Sequence, residues 1–310
     1  MNNAQKTELP MGGLSSMIFV MISGSALYYA PYAKANVPLL VLVVSFAVSL
    51  LLVKMYTALS ENKAGLTGRI LTVILAPLSL VQLGKRLFDF FSLCEHSGEK
   101  YTGNLFTLLS LASISFIALY SVHKGGTTPF RTALLSSLLP VAFAFVFIPI
   151  PFIAGSELSG GFHATRFITP KELFADFLIA IKCTILMTAD LAAVYLAVPK
   201  STFSCARRKF GIKGFGGLAF GYLFAAVNAE VLRLYYGGVT PDTPFINSVL
   251  LDTAYSDGGG SSEYGALCLC FFTLTLILRT SLYAILLARA AKIVKNMFQR
   301  HNMTVFSAHR

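Results

Sequence analysis

Apolar runs alternate with short polar segments along the whole chain. A helix needs about 20 mostly apolar residues to cross a hydrocarbon core of about 30 Å. Eight runs of this kind predict eight transmembrane helices, at residues 14–33, 37–58, 68–93, 103–122, 132–154, 173–198, 214–237 and 265–289. The pattern therefore predicts an all-α polytopic membrane protein.

The composition agrees with this pattern. Of the 310 residues, 55% are hydrophobic and only 13% are charged, whereas soluble domains typically have about 25% charged residues. We expect a single transmembrane domain at residues 14–290. A cytoplasmic tail at 1–13 and a basic cytoplasmic tail at 291–310 would flank it.

The distribution of lysine and arginine predicts the orientation. Cytoplasmic loops of membrane proteins are enriched in both residues. Alternate connections are basic here, most clearly "KSTFSCARRKFGIK", whereas the connection at 238–264 has no lysine or arginine. We therefore expect both termini to lie in the cytoplasm.

The remaining composition excludes several functions. The net charge of +11 comes from short connections between apolar runs and not from a basic face, so nucleic-acid binding is not expected. The five cysteines form no Cys-x-x-Cys pair, which argues against a zinc site or a disulfide framework. Because the spans contain no catalytic triad, paired carboxylates or metal-ligand pattern, we predict neither an enzyme nor a cofactor.

The first apolar run contains the stretch "MISGSALYYAPYAKAN". Glycine and proline both weaken a helix interior, so Gly24 and Pro31 predict an interrupted helix. Secondary transporters use such breaks to bind solutes through free backbone groups. Ser23, Gly24, Ser25 and Ala26 are therefore candidates for solute binding. The stretch also admits a signal-peptide interpretation, but its bulky tyrosines lead us to expect that it is retained.

The sixth run carries ionisable side chains at membrane depth. In an inverted repeat, the partner of the first break falls in this run, where Thr184 to Asp190 form a polar patch. Thr188 and Asp190 are candidates for the opposite wall of a solute site. A buried acid in a span is often a proton relay or a ligand contact, and an interhelical structural pair is the alternative.

Other charged residues in the spans have partners close in sequence. Lys85 and Arg86 are spaced for a local ion pair with Asp89 in the third helix, and Glu230 with Arg233 in the seventh. Such i, i+3 and i, i+4 pairs lie on one helix face. We expect these groups to satisfy one another.

Arg279 stands alone halfway along the eighth run. A charged residue there costs about 2.5–3.5 kcal/mol on insertion scales, so it needs an acidic partner or a wet cavity. Asp190 and Glu230 are the candidate partners. Gln82 in the third run is a weaker candidate for lining a central cavity.

Four further stretches, together with the first-helix motif, resemble the endospore-germination permeases. These are the B subunits of nutrient germinant receptors, in the amino acid–polyamine–organocation transporter superfamily. The stretches are "ALYSVHKGGTTPFRTALLSSLLP", "ITPKELFADFLIAIKCTILMTADLAAVYLAVPK", "GGVTPDTPFINSVL" and "FFTLTLILRTSLYAILL".

The resemblance implies a function and a location. Family members have ten helices in a five-plus-five inverted repeat, so eight helices imply a truncated version of that bundle. It implies recognition of a small nutrient such as an amino acid, with other receptor subunits, in a spore inner or cytoplasmic membrane. The implied substrate-binding residues are Ser23, Gly24, Ser25, Ala26, Gln82, Thr188, Asp190 and Arg279.

Two alternatives remain open at this point. The first is a proton-coupled amino-acid or solute transporter in which Asp190 or Glu230 carries the proton. The second is an assembly partner that binds another membrane protein and transports nothing.

Overall fold

The computed structural model describes residues 12–61, 66–101, 103–124, 127–150, 169–197, 207–236, 246–254 and 265–308. All regular secondary structure in these ranges is helical. The predicted all-α fold is confirmed for this part of the chain. Most of the predicted tail at 1–13 lies outside the described residues.

Eleven helices are described within these ranges. They are α1 Gly13–Tyr29, α2 Pro38–Glu61, α3 Leu66–Tyr101, α4 Gly103–Lys124, α5 Thr128–Ser136, α6 Leu138–Phe147, α7 Pro170–Thr188, α8 Leu191–Ala197, α9 Arg207–Tyr235, α10 Ile246–Ala254 and α11 Gly265–Ala308.

Seven helical stretches are long and apolar enough to cross a membrane. They are Pro38–Ala58, Thr67–Cys94, Thr107–Lys124, Thr128–Phe147, Pro170–Ala197, Ile212–Tyr235 and Leu267–Gln299. Each corresponds to one of the predicted spans. The remaining predicted span corresponds to α1, which is apolar but has only 17 residues.

Helix α1 lies at the centre of the bundle. It packs mainly against α9 and also against α5, α11 and α7, and nearly all of its residues are buried. Glycines on α9 allow the close approach: a methyl group at Gly221 would lie 2.7 Å from Cβ of Ile22, and one at Gly217 would overlap the Ser15 carbonyl. Small residues at such contacts are typical of membrane helix packing.

The predicted break in the first span is wrong. α1 runs without interruption through Ser23, Gly24 and Ser25 and ends at Tyr29. Ala30 then adopts a left-handed conformation with φ 34°, and its N–H bonds to the carbonyl of Ala26. Tertiary packing overrides the weak helix propensity of glycine here, whereas Pro31 follows the helix end.

The sixth span is interrupted only locally. α7 ends at Thr188 and α8 begins at Leu191, with a turn at Ala189 and Asp190. Ala189 keeps right-handed helical angles, φ −51° and ψ −35°, and Val194 N–H bonds to the Asp190 carbonyl at 3.0 Å. The predicted break thus falls at the end of the polar patch, without an unwound segment.

Helix α11 is the longest helix described, with 44 residues and a length of about 66 Å at 1.5 Å per residue. It packs against α3 and α4. It continues to Ala308, past the predicted boundary between membrane domain and tail at residue 290. Arg289 on this helix donates to the carbonyls of Leu196 and Ala197, the latter at 2.9 Å, at the end of α8.

Candidate functional site

Arg279 is completely buried in the middle of the bundle. Its Nε donates to Oδ2 of Asp190 at 2.7 Å. Its Nη2 donates to Oγ of Ser25 at 2.6 Å and to the Met21 carbonyl at 3.1 Å, both on α1. Of the two predicted partners, Asp190 is therefore the one that pairs with Arg279.

Asp190 also serves other donors. Nη2 of Arg86 on α3 lies 3.7 Å from Oδ2 of Asp190, and the Tyr283 hydroxyl donates to Oδ1. The same hydroxyl lies 3.1 Å from Oε1 of Gln82. Because a hydroxyl carries one proton, Tyr283 donates to one of these two acceptors at a time. We call Ser25, Arg86, Asp190, Arg279 and Tyr283 the arginine–aspartate cluster.

The environment of Arg86 differs from the predicted one. Its guanidinium carbon lies 4.6 Å from the centre of the Tyr29 ring, a cation–π geometry. The carboxylate of Asp89 accepts instead from the Tyr29 hydroxyl at 2.5 Å. The predicted pairing of Lys85 and Arg86 with Asp89 is wrong. Arg86 lies against Asp190 instead, and the Lys85 side chain is exposed.

One nitrogen of Arg86 is left over. Arg86 is 5% exposed, and its buried Nη1 has no hydrogen-bond partner among the described residues. Buried charged donors without partners are costly. Two guanidinium groups, of Arg86 and Arg279, thus lie against the single carboxylate of Asp190. Nη1 of Arg86 is the nitrogen that donates to no acceptor among the described residues.

The cluster includes three of the predicted site residues, Ser25, Asp190 and Arg279, and a fourth, Gln82, contacts it through the Tyr283 hydroxyl. The other predicted residues have local roles. Ser23 is buried and its hydroxyl has no partner in the described structure. Thr188 donates to the Thr184 carbonyl at 2.7 Å within α7.

Gly24 and Ala26 belong to the packing of α1. A methyl group at Gly24 would lie 3.2 Å from Cβ of Thr275 and overlap its Cγ2. Ala26 is fully buried, and its carbonyl accepts from Ala30 N–H at 2.9 Å. Their backbone groups are engaged in the helix and are not free to bind a solute in this conformation.

Glu230 lies outside the cluster. Its carboxylate accepts two bonds from Nε and one from Nη2 of Arg233, one turn further along α9. Both side chains are about two-fifths exposed, at 39% and 42%. The predicted local pairing is confirmed, and Glu230 is not a partner of Arg279.

A small cavity lies between α1, α3 and α11, lined by Gly24, Tyr28, Leu93 and Phe272, and no residue of the arginine–aspartate cluster lines it. Its volume of about 10 Å³ holds about one water molecule. A solute of amino-acid size therefore does not fit in this cavity in the conformation described.

A second polar group of residues anchors the end of α1. Tyr32 donates to Oδ1 of Asn228 at 2.6 Å, and Nδ2 of Asn228 donates to Oδ1 of Asn247 at 2.8 Å. Nδ2 of Asn247 in turn donates to the Leu27 carbonyl at 2.6 Å. All three side chains are buried. We call Tyr32, Asn228 and Asn247 the amide cluster.

Sequence reasoning missed several of these contacts. Arg86 follows Gln82 by four residues and Tyr283 follows Arg279 by four, so both pairs share a helix face. That spacing could have placed Arg86 and Tyr283 in the cluster. Asp176, another charge in the sixth span, accepts through its carboxylate from the backbone N–H groups of Asn36 and Val37 before α2.

Comparison with protein-family models, curated proteins and solved structures finds no match to this chain. Among the described residues, no group of three or more histidine, cysteine, aspartate or glutamate side chains is placed to hold a metal ion. The apolar helices identify a polytopic membrane protein, and the resemblance to germination permeases stays a prediction.

Proposed function

We propose that this membrane protein recognises a small nutrient with a carboxylate group, such as an amino acid, in the manner of a germination permease. The observation that carries the proposal is the unused Nη1 of Arg86. Carboxylates pair well with guanidinium groups through charge-assisted hydrogen bonds. A ligand carboxylate beside Arg86 would supply the second anion that the two buried arginines lack.

The solute site would lie where α1, α3, α8 and α11 meet. Because Arg279 is completely buried and bonded to Asp190 and Ser25, the conformation described is, on this proposal, the closed one. Asp190 holds Arg279 and Arg86 in position and is a positioning residue for the ligand.

The same geometry argues against Asp190 as a proton carrier. Protonating Asp190 would remove the only carboxylate that directly contacts both buried arginines in the described structure. The alternative carrier, Glu230, is tied to Arg233. We therefore favour recognition without proton coupling. Uptake into liposomes that depends on a pH gradient and disappears in Asp190→Asn would contradict this choice.

We further propose the context that the resemblance implies. The protein would work with other receptor subunits in a spore inner membrane, with both termini in the cytoplasm. A second candidate function, a membrane assembly partner without a solute, is favoured by the tight packing around Arg279, which is 0% exposed. It predicts co-purification with a partner protein and no response to solutes.

Thermal unfolding of the purified protein tests the proposal. A ligand at 100 times its Kd stabilises the folded state by about 2.7 kcal/mol, so a panel of amino acids should contain at least one that raises the melting temperature. Arg86→Gln should abolish this shift, because it removes the spare donor. Lys85→Gln, next to Arg86 on the same helix but exposed, is the matched control and should keep it.

The outcomes separate the candidates. A shift that is lost in Arg86→Gln and kept in Lys85→Gln supports solute recognition at the cluster. A shift that both variants keep places the ligand elsewhere. No shift with any amino acid, sugar or nucleoside contradicts the proposal and leaves the assembly-partner function.

A further inference from the structure

A lipid-facing groove separates parts of α3 and α11, far from the amide cluster. Its volume is about 530 Å³, and its walls are residues 73–80 of α3 and 287–298 of α11. Apart from Lys295, the lining side chains are apolar. Small residues open it, since Ala76, Ala290 and Ala291 all line it.

Pro77 contributes to the shape of this groove. It stands inside α3 and lines the groove. Proline has no N–H, so the carbonyl four residues earlier, on Val73, loses its helical hydrogen bond. The α3 wall of the groove therefore has one backbone carbonyl, on Val73, without its helical partner.

Two cations mark one end of the groove. Lys295 lines it on α11, and Arg69 precedes Val73 by four residues, which places it on the same face of α3. Both cations are exposed. α11 contains no acidic residue, and α3 contains none before Asp89, so no carboxylate on either wall neutralises them.

When the middle of each apolar span lies at the bilayer centre, both cations lie at the depth of the lipid headgroups. Lys295 lies 12 residues beyond the middle of the Leu267–Gln299 span, which is about 18 Å along the helix. Arg69 lies about 17 Å from the middle of the Thr67–Cys94 span by the same measure. The headgroup region extends from about 15 to about 22 Å from the bilayer centre.

We propose that this groove binds one anionic phospholipid. An acyl chain would lie along the apolar walls, and the phosphate group would contact Lys295 and Arg69. The site is independent of the proposed solute site, because it shares no residue with the arginine–aspartate cluster. Attraction of an anionic headgroup to a basic residue near the membrane surface corresponds to about a fivefold preference per cation.

The absence of tryptophan from the sequence allows a direct measurement. Leu80, which is half exposed, lines the groove, and Phe116 on α4 is 71% exposed elsewhere at a similar depth. Leu80→Trp and Phe116→Trp therefore give two single-tryptophan reporters. Each is reconstituted in vesicles, and quenching by brominated phosphatidylglycerol is compared with quenching by brominated phosphatidylcholine.

We expect the Leu80→Trp reporter to prefer phosphatidylglycerol at least fivefold and the Phe116→Trp reporter to show no preference. Adding Arg69→Gln and Lys295→Gln should remove the preference, whereas Lys54→Gln, an exposed lysine on α2, should not. Equal quenching by both lipids at Leu80→Trp would overturn the proposal. So would a preference that survives the double neutralisation.

A second measurement needs no change inside the groove wall of α3. Native mass spectrometry of the unmodified chain, purified from an equal mixture of the two lipids, should show one retained phosphatidylglycerol. Ala291→Phe fills the groove and should release it, and Ala112→Phe, at an exposed alanine of α4, should retain it. Retention in both variants, or in neither, contradicts binding in the groove.

Discussion

Two buried polar clusters fix the same helix in different ways. The arginine–aspartate cluster holds the middle of α1 through the Met21 carbonyl and Ser25. The amide cluster holds its end through the Leu27 carbonyl. The first uses full charges from α3, α8 and α11, and the second uses neutral groups from α9 and α10.

The difference lies in how completely each cluster is satisfied. In the amide cluster, the donor atoms of Tyr32, Asn228 and Asn247 each have an acceptor. The charged cluster keeps the unused Nη1 of Arg86. A neutral network suits the anchoring of a helix, whereas a charged cluster with an unpaired donor suits the binding of an anionic ligand.

The largest effect is expected for Asp190→Asn. It leaves Arg86 and Arg279 buried without a carboxylate, and breaking a buried pair costs about 3–5 kcal/mol. Chemical or thermal unfolding in detergent should show this loss, with reduced yield of folded protein. A variant as stable as the wild type would mean that the cluster is wetter than its burial indicates.

A smaller loss is expected for Asn228→Ala, which removes the closer acceptor of the Tyr32 hydroxyl and the donor to Oδ1 of Asn247. Leaving buried polar groups unsatisfied costs about 1–3 kcal/mol. A double-mutant cycle with Asn247→Ala should show that the two losses are not additive. Additive losses would contradict a single amide network.

Gly24→Ala should cost about 1–3 kcal/mol through overpacking against Thr275. Thr275→Ser removes the methyl group that the new side chain meets, so the double variant should recover part of the loss. Gly84→Ala is the control, because nothing lies within 4 Å of a Cβ there, and it should not destabilise. If Gly24→Ala and Gly84→Ala changed the free energy of unfolding equally, the close contact of α1 with α11 would not contribute to stability.

The smallest effect is expected for Glu230→Gln. The pair with Arg233 is about two-fifths exposed, and pairs of this kind contribute at most about 1 kcal/mol. Unfolding of this variant beside Asp190→Asn measures the contrast between an exposed and a buried ion pair. A loss as large as that of Asp190→Asn would remove the contrast.

Much of the fold could be predicted because apolar length and periodicity act locally. The positions of the long helices followed from the apolar runs, and Arg279 pointed to an acidic partner because an isolated charge in a span is expensive. The continuity of α1 could not be predicted. Gly24 packs closely against Thr275 on another helix, and helix propensity carries no information about such contacts.

The charge partners in α3 were harder to predict. Local spacing favoured Arg86 with Asp89, and the structure instead places Arg86 near Asp190, 104 positions away in the sequence. A short-range rule always finds the nearest opposite charge along one helix. Such a rule does not consider charges on neighbouring helices, and the more deeply buried carboxylate of Asp190 lies on one of them.

The bonds of Arg289 to the last carbonyls of α8 have a mechanical consequence. α8 is tied to α11 at both ends, by Arg279 through Asp190 and by Arg289 through Leu196 and Ala197. While these bonds persist, α8 and α11 move as one rigid unit. Bending within the sixth span would then be concentrated at the turn of Ala189 and Asp190, between α7 and this unit.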